Sequence, residues 1–309
     1  MTLLKKLFTK CFHTLYLYTK YIIIEIIHPN SILINATSYP SNKNIIPEFK
    51  CNIGDDINYI IPSIITKRIV VPYKYSLIGK YITHKKNYLF IGSIISGLSN
   101  KNSIIIGTGV SPDMKLHNNF SVHKICSVRG PLTKQWLEEK GIKCPSIYGD
   151  SALILPIIYN PAVKKKYKLG FIPHFIDRTD QVISSLKKYP NSIILDTSNY
   201  NNWKDFIKSI CECEMIFSSS LHGLIFADAY KIPNVWTHFD KTVNPFKYQD
   251  YFYSIGRDCS TPFKFQDSLL MEDLLEMKKD YIPIQYDINF LYNHILNSFN
   301  DDFNHNSYI

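Results

Sequence analysis

No Cys-x-x-Cys pair occurs among the seven cysteines, which stand at 11, 51, 126, 144, 211, 213 and 259. That excludes a zinc knuckle, and an odd number at these spacings argues for reduced thiols rather than a disulfide framework. No His/Asp/Glu cluster has metal-ligand spacing, so neither a metal nor a cofactor is expected. The turn Gly107-Thr108-Gly109 lacks the third glycine of a dinucleotide fingerprint and the Lys-Ser/Thr of a P-loop. Lys5, Lys6, Lys10, Lys20 and Glu25 interrupt every window of spanning length in the first 28 residues. No small-residue cleavage site follows that stretch, which argues against a signal peptide. The lysines are scattered and no nucleic-acid motif accompanies the formal charge of +9. Anionic substrates or an anionic membrane surface are the partners that fit such a charge better. Repeats and low-complexity tracts are missing as well.

What is present suits an α/β protein. At 309 residues and 45% hydrophobic, the chain can build two domains with cores of their own. Within residues 1–30, Leu3, Leu4, Leu7, Phe8, Cys11, Phe12 and Leu15 fall on one helical face with most lysines off it. Such a basic amphipathic helix either lies on a membrane surface or packs on the protein's own core. Short apolar runs at 32–36, 68–71, 88–92, 103–107, 125–128 and 146–148 predict strands, with helices over 54–65 and 131–140. The second half repeats the pattern, with strands at 169–172, 192–195, 214–217 and 234–236. Helices over 179–188, 203–211 and 221–230 connect them. A stretch with two prolines and three consecutive lysines, 156–168, reads as a linker. The expected organisation is therefore a Rossmann-like N-terminal domain over 31–160 and a second over 161–309. A cleft lies between them.

In such sheets ligands sit at the carboxyl ends of the strands. Residues 218–223, Ser-Ser-Ser-Leu-His-Gly, follow a strand and open a helix, placing His222 beside free backbone N–H groups. That is an anion site with a titratable imidazole in it, although an N-cap at Ser220 and a turn histidine would produce the same letters. Arg129, just before Gly130-Pro131, offers a planar fork for phosphate or carboxylate, or a structural ion pair with a neighbour such as Asp150. Asp150 orients a substrate hydroxyl, holds Arg129 or caps the next segment. Asp55 and Asp56 open a helix and either cap it or bind an acceptor's hydroxyls. His174, after Pro173 at a strand end, is either a further cleft residue or a satisfied structural histidine.

These segments together resemble the polysaccharide pyruvyl transferase family. The carriers are Ser-Ser-Leu-His-Gly-Leu-Ile-x-Ala-Asp-Ala-x-x-Ile-Pro at 219–233 and Val-Arg-Gly-Pro-Leu-Thr at 128–133. Gly141 and Tyr-Gly-Asp-Ser-Ala at 148–152 follow, with 52–58, 91–93, 170–174 and 246–251 fitting the spacing. The resemblance covers about residues 50 to 256. It implies a glycosyltransferase-B-like fold and transfer of pyruvate from phosphoenolpyruvate to two hydroxyls of a saccharide as a cyclic ketal. It further implies that Arg129, Leu221 and His222 contact the donor, domain 31–160 then being the acceptor side and 161–309 the donor side. Ser220 and Gly223 at the helix start are further donor-binding candidates, and His222 is the candidate acid or base. Some members carry an arginine directly before the Leu-His, where this chain has Ser220. The acceptor is expected to be lipid-linked or nucleotide-linked, in capsule or exopolysaccharide assembly at the cytoplasmic face of a membrane. The residues alone also allow a glycosyltransferase using a nucleotide sugar, or a scaffold without catalysis.

Overall fold

Runs of β-branched and aromatic residues too short to alternate with polar ones form strands buried on both faces, the composition that parallel sheets require. The computed structural model describes the backbone of residues 3–37, 52–116, 120–240 and 244–306, with side chains from 11 to 300 within those spans. The first sheet contains β1 (Ile32–Ile34), β2 (Val70–Pro72), β3 (Asn87–Leu89), β4 (Ser103–Ile105) and β5 (Lys124–Ile125), ordered β2-β1-β3-β4-β5. The second contains β6 (Tyr167–Ile172), β7 (Ser192–Ile194), β8 (Cys213–Ser218), β9 (Asn234–His238) and β10 (Phe263–Lys264), ordered β10-β9-β8-β6-β7. Every pairing in both sheets is parallel. Numbered within itself, each sheet has the order 2-1-3-4-5. The α/β class with two Rossmann-like sheets is thus as expected from the sequence.

The expected strand at 146–148 is reduced to a single bridge, Val128 to Tyr148. Pro145 brings no N–H to a ladder, and Gly149 turns the chain away at φ +134°.

The helices in chain order are α1 (Leu3–Ile27), α2 (Ile53–Thr66), α3 (Ile95–Leu98), α4 (Pro131–Glu138), α5 (Leu155–Ile158) and α6 (Asp180–Leu186). They continue with α7 (Trp203–Cys211), α8 (Leu221–Ala229), α9 (Phe246–Ser254), α10 (Met271–Glu276) and α11 (Ile288–Asn306). In α8 every residue except His222 is buried, because the helix sits inside the molecule rather than on a wet face. Ile57 and Ile61 of α2, Leu153 and Ile154 after Asp150, and Ile225 and Phe226 of α8 belong to one core shared by both halves. Helix α11 carries the chain back to the first sheet. Its Phe299 ring lies 4.6 Å from Tyr88 and 5.6 Å from Phe90.

This topology decides where a ligand can sit. In a 2-1-3-4-5 sheet the chain leaves the two central strands in opposite directions, which opens a crevice at their carboxyl ends. The crevices lie between β1 and β3 in the first sheet and between β6 and β8 in the second. All the unusual residues of 218–223, 173–174 and 92–93 stand there.

Candidate active site

At the end of β8, Ser218 Oγ donates to the Ile172 carbonyl (3.0 Å) and accepts from the Ser220 N–H (3.0 Å). The turn is thereby tied to the end of β6. Ser219 Oγ accepts from the His174 N–H (2.8 Å), joining the two strand ends across the crevice. A Cβ at Gly223 would stand 2.4 Å from Ser218 Oγ and 3.0 Å from Ile172, so only glycine allows α8 to start this close to the sheet. Ser220 occupies the N-cap position of α8 without a side-chain cap bond. Among the described residues no side chain answers the first-turn N–H groups at the positive end of the helix.

The first half contributes a second helix start. Asn52 caps α2 by accepting from the Gly54 N–H (3.0 Å). The Asn58 amide exchanges two hydrogen bonds with Ile91, at 2.8 and 3.2 Å, and so seats α2 on the end of β3. Gly54 then lies against the imidazole, where a Cβ would be 2.0 Å from His222 Nδ1. The starts of α2 and α8 meet at that contact.

Arg129 is fully buried. Its Nε donates to Asp250 Oδ2 (3.0 Å) and its Nη1 to Ser93 Oγ (2.7 Å). Gly109 makes room for the fork, since a Cβ there would lie 2.4 Å from Arg129 Cζ. The Gly-Thr-Gly turn serves the arginine rather than a nucleotide. Asp250, on α9, also accepts from the Thr133 N–H (2.8 Å) and hydroxyl (2.7 Å) at the start of α4. The sequence offered Asp150 as a partner for Arg129, yet the ion pair is made with Asp250.

These elements enclose a cavity of about 330 Å³ lined by residues of both halves. Arg129, Asp55, His174, Ser220, Leu221 and His222 line it, as do Ser93 and Lys247, which lie in segments 91–93 and 246–251 but had no role assigned from the sequence, and Ser111 and Asn244, which the sequence had not singled out. Gly223, Asp56 and Asp150 stand outside the lining. Asp56 accepts from the Tyr200 hydroxyl. Asp150 caps the following turn by accepting from the Ala152 N–H (3.0 Å), the capping role among its alternatives. Burial pushes its carboxyl up to about 6 against the pull of that bond and of Arg129.

Electrostatics divide the cavity walls. Burial first, then Lys247, Arg129 and His174, hold His222 down to about 3, so its imidazole is neutral at ordinary pH. Burial and Lys247 lower His174 to about 4. Burial and Arg129 bring Lys247 down to about 8, with Asp55 pulling the other way. Burial raises Asp55 to about 6 despite a hydrogen bond with Thr37. Two polar atoms at the wall are buried without a hydrogen-bond partner among the described residues, Arg129 Nη2 and His222 Nε2. An orphan of this kind costs about 1–3 kcal/mol, more when charged, unless a ligand answers it. Among the described residues no group of three or more His, Cys, Asp or Glu could hold a metal ion.

The sequence profile described as polysaccharide pyruvyl transferase matches residues 16–237. The match begins within α1, earlier than the motifs alone suggest, and ends in β9. An uncharacterized protein of Acanthamoeba polyphaga mimivirus is 31% identical over 187 residues, covering 57% of this chain and 63% of that protein. Succinoglycan biosynthesis protein ExoV of Rhizobium meliloti is 29% identical over 157 residues, 48% of this chain and 45% of its own length. The chain thus spans less than two thirds of either relative. No solved structure matches.

Proposed function

Because the chain belongs to the polysaccharide pyruvyl transferase family, we propose that it transfers the pyruvyl group of phosphoenolpyruvate to two hydroxyls of a saccharide, closing a cyclic ketal. One observation carries this reading. Arg129 Nη2 and His222 Nε2 stand buried and unanswered at the wall of a cavity that Lys247 also lines. A small acid bearing both a phosphate and a carboxylate would satisfy Arg129, Lys247 and the free N–H groups of α8 together. The volume lies at the low end for small-molecule sites, which suits such a donor with one sugar edge.

In this proposal the donor's negative charge outweighs burial and the field of Lys247 and Arg129, which together keep His222 neutral in the free cavity, so that His222 takes up a proton on binding. His222 passes it to the methylene carbon, and positive charge develops at C2 of the donor. A sugar hydroxyl attacks C2 and gives its proton to Asp55, which is ionised just above pH 6. The C2–O bond to phosphate breaks, and phosphate leaves stabilised by Arg129 and Lys247. The departing phosphate takes the proton held by Asp55, and the second hydroxyl attacks C2 and returns its proton to His222, which completes the ketal. The overall products are the ketal and inorganic phosphate.

The family and the succinoglycan biosynthesis relative support a saccharide acceptor of polysaccharide assembly, and in this proposal that saccharide is lipid-linked or nucleotide-linked. The test is saccharide-dependent release of phosphate from phosphoenolpyruvate, with the ketal methyl group followed by NMR. Release of nucleotide from a sugar nucleotide, with phosphoenolpyruvate untouched, would assign the cavity to glycosyl transfer instead.

A further inference from the structure

Helix α1 has two apolar faces, one buried against the protein and one exposed. Inward, His13, Leu17, Tyr21 and Glu25 recur every four residues and are buried. Leu17 and Tyr21 pack with Leu33, Val71 and Tyr75 at the edge of the first sheet. The Glu25 carboxylate accepts from the Gly79 N–H (3.0 Å) and the Ile78 N–H (3.3 Å). Outward, Phe12, Leu15, Tyr16, Ile23, Ile26 and Ile27 are each more than half exposed. The turn that Glu25 holds carries Tyr81 and Ile82, exposed by 63% and 71%. With Ile64 and Ile69, this side of the molecule bears ten of the seventeen large apolar side chains exposed among the described residues. Single exposed apolar residues are ordinary, but a concentration of this kind marks an interaction surface.

Charge identifies the partner. Residues 57–112 contain no aspartate or glutamate while holding seven basic residues, among them Lys74, Lys80, Lys85 and Lys86. The one carboxylate within α1, Glu25, is turned inward and occupied. Tyrosines accompany the lysines, with the Lys80 ammonium 5.1 Å from the rings of both Tyr73 and Tyr81. Apolar tips, tyrosines and lysines without surface acids are the composition of a segment lying at a bilayer interface. Two copies of this face would set lysine against lysine, which disfavours self-association through it. Among the described residues no helix is long and apolar enough to cross a membrane.

We propose that this face, formed by the outer stripe of α1 and the Tyr81–Ile82 turn, seats the protein on an anionic lipid bilayer without crossing it. The apolar tips enter the boundary between headgroups and acyl chains, and the lysines meet the headgroup phosphates. Beside the patch, an apolar groove of about 430 Å³ runs between α1 and α2, lined by Tyr21, Tyr59, Ile60, Ile64, Ile69 and Val70. Helix α2 connects this groove to the cavity. Its Ile64 and Asp55 are nine residues apart, about 14 Å along the axis. A saccharide presented from the bilayer would meet the cavity from that side. The attachment does not depend on the proposed reaction, and its test involves no turnover.

The experiment is co-sedimentation of the full chain with phosphatidylcholine vesicles, with and without phosphatidylglycerol. Binding is expected for the anionic vesicles and to weaken as salt rises. The triple variant Leu15→Glu, Ile23→Glu, Ile26→Glu should lose at least tenfold in affinity with an unchanged far-UV spectrum. Ile82→Asp, on a separate turn, should lose several-fold, and Lys74→Gln and Lys80→Gln about fivefold each. Equal binding by all variants, or no binding to anionic vesicles, overturns the proposal. A concentration-dependent dimer that the triple variant converts to monomer would make the face a protein interface and overturn it too.

Discussion

Arg129 and Asp250 form a fully buried ion pair between the two halves of the molecule, Nε to Oδ2 at 3.0 Å. The two partners differ in their remaining bonds. Asp250 divides its oxygens between Arg129 and the start of α4, while Arg129 keeps one nitrogen free at the cavity wall. The pair therefore fixes α9 to α4 and aims a cation at the cavity. Asp250→Ala would leave a buried guanidinium unpaired, which costs about 3–5 kcal/mol. Denaturant unfolding should record that loss, and a change below about 1 kcal/mol would mean that the pair is not what joins the halves.

A methyl group at Gly54 would collide with the imidazole of His222, at 2.0 Å from Nδ1. Gly54→Ala should displace the ring and lower pyruvyl transfer by about 100-fold or more, because misplacement by an ångström is enough. Overpacking should cost only about 1–3 kcal/mol of stability, leaving a folded protein. Gly109→Ala makes the companion test. Its Cβ would stand 2.4 Å from Arg129 Cζ and should weaken donor binding with every charge retained.

The pH dependence of donor binding follows from Lys247, held to about 8 in the free protein. An anionic donor favours the ammonium, so binding raises that pKa. Affinity should then be greatest below pH 8 and fall as pH rises through it, by up to tenfold per unit. His222, at about 3 when the cavity is free, should move upward with the donor. Binding near pH 6 should accordingly take up protons, measurable by calorimetry in buffers of different ionisation heat. Lys247→Arg should push the alkaline limb to higher pH. An unchanged limb would remove Lys247 from the donor site.

Asp55 is pushed up to about 6 and should set the acidic limb of kcat/KM for the free enzyme. A phosphate monoester titrates close to the same value, so the limb alone is ambiguous. Asp55→Asn separates the two. It should cut the rate by about 10²–10⁴-fold and leave only the donor's own titration. A variant with full activity would exclude Asp55 as the base.

Much of this was legible in the letters. Both sheets follow from apolar runs bounded by glycine, proline and serine, and the anion site at α8 from Ser-Leu-His-Gly after a strand. What escaped depends on distance along the chain. Asp250 is 121 residues from Arg129, and no local pattern distinguishes it from Asp150. Lys247 looks like an ordinary surface lysine until α9 is packed against α4, where its head reaches the cavity. The two-residue strand β10 is too short for periodicity to reveal. The outward face of α1 shows the opposite limit. At Phe12 and Leu15 the apolar stripe was visible in sequence, but which side met the protein was not. Leu3, Leu4, Leu7 and Phe8 lie outside the residues whose side chains are described.

The central claim is that the cavity holds phosphoenolpyruvate through Arg129. Calorimetric titration of phosphoenolpyruvate into the full chain tests it most directly, since no acceptor is needed. Saturable binding, weakened at least 100-fold in Arg129→Ala and less in Arg129→Lys, is the predicted result. Failure of phosphoenolpyruvate to bind, with a sugar nucleotide binding in its place and unaffected by Arg129→Ala, would contradict the account.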